Sequence, residues 1–524
     1  MQTVKRIMAY LLILLLSAAA APFTGQKAAA DFPKAAKAAK TLLLTDVPTD
    51  GSAVTLASMQ GLLANVSDKN LLFRAEKYRE WLPLTGAEPV DAQPDGSKWD
   101  LAALLKEFAA FFDGYLLCDE DSIAVALSLA NQKNSIVVLP DFEAAAQAAG
   151  LNMTADVRGW SDLRLRLRPE FYRLRRDVAF EQPAALCPRL MDYAVMSGAY
   201  VWYDAAATRA EHTNAFRFLN NNALLFGWNN DLGEYKTIAS ASALNACLIP
   251  ADWACNLSVL SGYGCEPLQQ KTTVSAAPGG RTVCLLMSDG DNLQWFVGSY
   301  EDKSHFGSLV RGRFPFAWGV PASAADLAAP LTQMYYGKMS ENDAFVLSLS
   351  GLGYTFPSKW TSQRALQRMA QTLGQKMKAL DTRELLVLDD GEFESKALDT
   401  LMAGTQANGI FYMDYSNYAG MKGKMRFANG KPIVSARYQL WNGMPGCSPE
   451  EVAAAVNALP ADPKNPDSYV FVIVHAWSGL NGSGEFTQGG NTMAAVERLV
   501  EQLDENTRLV SPAQFMERIT ENCG

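Results

Sequence analysis

Residues 283–292 read Val283-Cys284-Leu285-Leu286-Met287-Ser288-Asp289-Gly290-Asp291-Asn292, five apolar side chains running straight into a turn of two carboxylates, a glycine and an amide. An uninterrupted apolar run of this length, followed by a helix-like stretch, predicts a strand buried on both faces of a parallel sheet. The same cadence returns at residues 316–320, 345–349, 385–388, 410–413, 433–438 and 469–474. Seven such strands alternating with helices predict an α/β protein whose C-terminal part, residues 275–524, is a β/α barrel of about seven strands, TIM-like or polysaccharide-deacetylase-like. An open doubly wound sheet gives the same alternation, so closure rests on strand number and length.

Upstream of this unit, residues 266–281 hold Gln-Gln-Lys-Thr-Thr and Ala-Pro-Gly-Gly, a turn-rich connection of the kind that separates domains. Before it, short apolar runs at 42–44, 71–73, 115–117 and 136–139 alternate with helical stretches at 54–66 and 122–130 and with one from 142 that Gly150 closes. These predict an N-terminal α/β subdomain over residues 31–152. A second, over 153–274, has strands at 200–203, 224–228 and 248–249. The arginines at 164, 166, 168, 173, 175 and 176 alternate with leucine and read as a solvated face.

Residues 1–30 have Lys5 and Arg6 ahead of an apolar run from 7 to 21, then small residues, with cleavage sites expected near Ala20 or after Ala30. This predicts a signal peptide and a secreted or extracytoplasmic protein with no membrane association after cleavage. Over 524 residues, 46 Lys and Arg stand against 55 Asp and Glu, a formal charge of -9, so no basic footprint for nucleic acid exists. The chain has three histidines, His212, His305 and His475, at spacings that predict no shared metal site, and no cofactor is expected. Of eight cysteines none forms a C-x-x-C pair, and Cys247, Cys255 and Cys265 are the cluster where a disulfide would be sought, free buried thiols being the alternative.

In α/β folds ligands bind beyond the carboxyl ends of the strands. There the sequence offers Asp289, Asp291, Asn292 and Trp295 after the first run, Tyr354 after the third, Asp390 and Glu392 after the fourth, and Asp414 after the fifth. Trp441 follows the sixth, and His475 and Trp477 the seventh. Carboxylates can act as acid, base or nucleophile, amides and tyrosine hold hydroxyl groups, and aromatic faces cover a pyranose ring, so a poly- or oligosaccharide is the expected partner. Asp289, Asp291, Asp390, Glu392, Asp414 and His475 are the catalytic candidates. Asn292, Trp295, Tyr354, Trp441 and Trp477 are the binding candidates, with Trp228 and Asn230 expected to wall the pocket from the N-terminal side. Asp and Asn after a strand also cap the next helix, and that is the competing reading for each alone.

Residues 351–357 read Gly-Leu-Gly-Tyr-Thr-Phe-Pro, and here the chain resembles the GxGYxYP family, whose name couples this motif to glycoside hydrolysis. The resemblance takes in N-terminal segments as well, Thr55 to Leu62, Gly227 to Asn230 and Asn256 to Ser258, and residues from about 275 onward for the C-terminal domain; Phe356 stands where the motif has Tyr. It implies extracellular sugar utilisation and carries over no catalytic residue. Two alternatives stay open. The pattern Asp289-Gly290-Asp291, His475 and the closing residues 510–515 also resemble the ends of a polysaccharide-deacetylase fold, although no H-x-x-x-H pair is present. The other is a glycan-binding protein without turnover.

Overall fold

The computed structural model describes residues 31–44, 49–73, 80–91, 100–186, 189–271, 279–441, 443–477 and 491–524; the signal peptide expected over 1–30 lies outside them. Each apolar run upstream of residue 250 becomes a short, almost wholly buried strand, and the strands pair in parallel because a helix returns the chain between them. Strands β1 (Lys40–Leu44), β2 (Lys69–Phe73) and β3 (Glu88–Asp91) form one sheet in the order β2-β1-β3. Strands β4 (Gly114–Leu117), β5 (Ser135–Val138) and β6 (Met153–Asp156) form another in the order β5-β4-β6. The division expected at residue 152 falls inside this second sheet, since β6 pairs with β4. A third sheet, β10-β9-β7-β8, is built from β7 (Val178–Glu181), β8 (Tyr200–Trp202), β9 (Leu224–Gly227) and β10 (Cys247–Ile249).

These small units share buried contacts. The helix Ser52–Val66 is buried almost all round, which is why its residues carry no polar face, and a Cβ on Gly61 would lie 2.3 Å from the Asp192 carbonyl oxygen of the helix Met191–Ser197. Asn256 behaves as a strand neighbour of Phe73: its Oδ1 accepts the Phe73 N–H at 2.9 Å and its Nδ2 donates to the Phe73 carbonyl at 2.9 Å.

The C-terminal strands are β11 (Arg281–Met287), β12 (Phe316–Pro321), β13 (Asp343–Ser348), β14 (Glu384–Asp389), β15 (Gly409–Asp414), β16 (Met425–Ala428), β17 (Lys431–Ser435), β18 (Tyr438–Leu440), β19 (Tyr469–Val474) and β20 (Thr507–Leu509). Six of the seven expected runs are strands, and the seventh, at 433–438, is split between β17 and β18. Their order is β16-β17-β15-β14-β13-β12-β11-β19-β18 with β20 also on β11, and every pairing is parallel except β16 with β17. The sheet curls. Residues 431–440 hydrogen-bond β15 with their first half and β19 with their second, the Ala436 N–H reaching Tyr412 O at 2.8 Å and the Arg437 N–H reaching Phe471 O at 2.9 Å. Among the described residues no helix is long and apolar enough to cross a membrane. Cys247 and Cys265 are free thiols, so no disulfide forms within the cluster singled out for one.

Candidate active site

Strand β11 ends at Met287, and Asp289 takes the left-handed conformation at φ 59°. Extended alternation therefore does not reach the carboxylates; a turn orients them instead, and both line one cavity of about 270 Å³. The turn sits on β12 so closely that a Cβ on Gly290 would meet the Gly319 Cα at 2.2 Å, which only glycine avoids. Asn292 lines the same cavity and also caps the helix Leu293–Gly298, its Oδ1 accepting the Trp295 N–H at 3.1 Å.

The opposite wall comes from the third sheet. Trp228 and Asn230 follow β9, Glu234 opens the helix Glu234–Ala243, and Asp252 and Trp253 follow β10. The buried Asn229 between the first two donates to Glu181 Oε1 at 2.7 Å, and Glu181 Oε2 lies 2.6 Å from His212 Nε2, so a buried polar anchor holds the loop that presents Trp228 and Asn230.

The 351–357 motif joins the two walls. The Leu248 N–H of β10 donates to Tyr354 O at 2.9 Å and the Tyr354 N–H returns to Leu248 O at 2.7 Å. Neither Gly351 nor Gly353 has a positive φ. The glycines serve close approach: a Cβ on Gly353 would lie 2.5 Å from Leu248 O, and one on Gly351 3.1 Å from Cys247 Sγ. The Tyr354 hydroxyl then donates to Glu234 Oε1 at 2.8 Å. Phe356 is fully buried against Tyr235, Tyr354 and Tyr415, so the missing hydroxyl leaves a packed ring.

Three carboxylates thus interact in one enclosure. Burial, reinforced by the charges of Asp289 and Glu234, pushes the Asp291 carboxyl up to about 8. Burial, with the charge of Asp289, also raises Glu234, against the opposing hydrogen bond from Tyr354. Burial raises Asp252.

The other candidates lie elsewhere. Asp390 is ion-paired to Lys359 at 2.6 Å and accepts from the Tyr235 hydroxyl at 2.9 Å, which hold it below the usual carboxylate range. Glu392 is exposed. Asp414 caps its own turn, accepting the Ser416 N–H at 2.8 Å and hydroxyl at 2.6 Å. None of these three lines the Asp291 cavity, where Leu388 and Met413 occupy the corresponding strand ends. His475 follows β19 beside the β11 end, with the Ser288 N–H on Val474 O at 2.9 Å. Its ring stacks on Trp441 at 3.5 Å and 7°, and burial lowers its pKa. Trp295 packs under the rim against Tyr300, His305 and Trp477 instead of facing the cavity.

Sequence reasoning missed Glu234, Asp252, Trp253 and Tyr418. Glu234 had a faint signal, six residues after Trp228 at the start of a helical stretch; the others follow strands but carried no distinguishing pattern. Among the described residues no group of three His, Cys, Asp or Glu is arranged to hold a metal.

The fold and cavity define an α/β protein with a carboxylate-lined pocket at the carboxyl ends of a parallel sheet, where α/β enzymes hold their substrates. Residues 280–520 match the domain described as "GxGYxYP putative glycoside hydrolase C-terminal domain", residues 176–262 the "GxGYxYP third domain" and residues 112–168 the "GxGYxYP_N second domain". The chain belongs to the GxGYxYP family. It is also similar to a solved structure described as a "putative hydrolase from Bacteroides thetaiotaomicron", with 25% identity over 94% of this chain and 96% of that one and a TM-score of 0.81. No curated protein matches the chain.

Proposed function

We propose that this is a secreted glycoside hydrolase, with its leader in residues 1–30 and its site at the mouth of a seven-stranded ring that residues 431–440 close between β15 and β19. The observation that carries the reading is the Asp289–Asp291 pair inside an aromatic-walled cavity, with Asp291 protonated near neutrality and Asp289 beside it. Asp291 gives its proton to the glycosidic oxygen as the bond to the anomeric carbon breaks. Water adds to that carbon, and its proton passes to Glu234, which the Tyr354 hydroxyl orients from the opposite wall. Burial keeps Asp291 protonated, and Asp289 reinforces it by opposing a second charge.

The test is hydrolysis of cello-, malto-, xylo- and N-acetylchito-oligosaccharides. On whichever series the parent cleaves, Asp291→Asn lowers kcat by about a hundredfold or more with the fold intact by circular dichroism. Activity within a few fold of the parent removes Asp291 from the chemistry. Saturable binding without any cleavage would move the protein to the glycan-binding class.

A further inference from the structure

Beside the Asp291 cavity lies a second one of about 580 Å³, and Glu234 and Tyr418 line both. The two spaces therefore meet at these two side chains. We infer that the second cavity is the binding site for the leaving portion of an uncharged oligosaccharide, so that the protein takes the terminal sugar of a chain into the first cavity and cuts the bond at the junction.

The first cavity is too small for more than a short piece of chain: ligands of drug size fill about 300–1,000 Å³, and this space is about 270 Å³. On the side of the third sheet it is lined by Trp228, Asp252 and Trp253. The second is larger and is floored by rings, Tyr415, Tyr418, Tyr438 and Trp441, the surface that the apolar faces of successive sugar units require. Trp441 is held flat by its stack on His475, so the platform exists before any ligand arrives.

Charge sets the chemical class. The first cavity is lined by the carboxylates of Glu234, Asp252, Asp289 and Asp291, and no Lys, Arg or His is among its described lining residues. Among the described residues, Asp291, only 5% exposed, accepts no side-chain donor, and Asp252 Oδ1 is buried without a hydrogen-bond partner. Asp291, protonated, offers a hydroxyl donor and a carbonyl acceptor to a sugar hydroxyl, while the neighbouring carboxylates of Asp289, Glu234 and Asp252 repel uronate, sulfate and sialate alike. In the second cavity the one cationic residue among the described lining residues, Arg437, is ion-paired with Asp467.

This inference rests on the hydrolase reading, and binding separates the two. Calorimetry on the Asp291→Asn protein uses the monomer, dimer and tetramer of the cello-, malto-, xylo- and N-acetylchito-series, with galacturonate oligomers as the charged comparison. The expected result is a tetramer bound at least tenfold more tightly than its monomer, no binding of the galacturonates, and loss of the length dependence in Trp441→Ala. Met444→Arg gives the same loss without disturbing the core, because Met444 is 39% exposed and lines the second cavity. The parent then releases only monosaccharide in the first turnovers on a tetramer. Equal affinity for monomer and tetramer, no binding of any series, preferential binding of galacturonates, or dimers as first products each overturn the inference. Length-dependent binding with no hydrolysis by the parent upholds the second cavity and sinks the hydrolase reading alone.

Discussion

Asp291 keeps its proton because burial and two neighbouring carboxylates all oppose its charge. In the folded chain its pKa stands at about 8 against an ordinary 3.8, so between those values the folded state holds a proton that the unfolded state has released. Stability consequently falls as pH rises through that window. Asp291→Asn cannot ionise and escapes the penalty, so its melting temperature should exceed the parent's by several degrees at pH 8 and by little or nothing at pH 4. Scanning calorimetry at both pH values checks this, and an equal difference at both would show that Asp291 ionises normally in the fold. The same value sets the activity profile: a proton donor is competent only below its pKa, so kcat/KM on a cleaved glycan should fall above about pH 8. At this scale the sequence was partly legible. Asp289 and Asp291 were visible because a strand-end turn rarely needs two carboxylates. Asp390 and Asp414 carried the same local signature, but an ion pair to Lys359, 31 residues away, and a turn through Ser416, two residues on, claim them.

At the scale of elements, the motif at 351–357 is a docking strand as much as a site loop. Its two-way hydrogen bonding with Leu248 ties the curled sheet to the third sheet and delivers Tyr354 to Glu234. Gly353→Ala must push a Cβ into the Leu248 carbonyl, and we expect a loss of about 2 kcal/mol or more in urea unfolding together with weakened glycan turnover. Gly337→Ala is the control. It lies in the helix Ala329–Lys338 with no atom within 4 Å of its would-be Cβ, and there alanine should be neutral or stabilising by up to about 1 kcal/mol. Loss of the same size at both positions would mean that Gly353 is not a contact glycine. The strands themselves were readable because apolar runs buried on both faces announce themselves locally. What the motif packs against was not, since Leu248 is 106 residues before Tyr354 and nothing in either segment names the other.

At the scale of the molecule, the cavity belongs to two sheets. Removing residues before 280 takes away Trp228, Glu234, Asp252 and Trp253 and uncovers Tyr354, which is 4% exposed in the intact chain. The fragment 280–524 should therefore lose glycan turnover by a hundredfold or more and melt well below the intact protein, whose shared buried contacts predict one cooperative transition in calorimetry. Two separated transitions, with the later one unchanged in the fragment, would refute that coupling. Residues 283–292 and their six counterparts determined by themselves an α/β architecture and the end of the sheet where carboxylates gather, because periodicity and turn chemistry act over a few residues. The motif 351–357 determined the family. The tertiary structure alone decided that Glu234 stands opposite Asp291, that Asp390, Glu392 and Asp414 stand apart, and that a second cavity opens at Tyr418. Those facts depend on which surfaces of distant segments come together, and side-chain pairing across hundreds of residues leaves no periodic trace in a single chain.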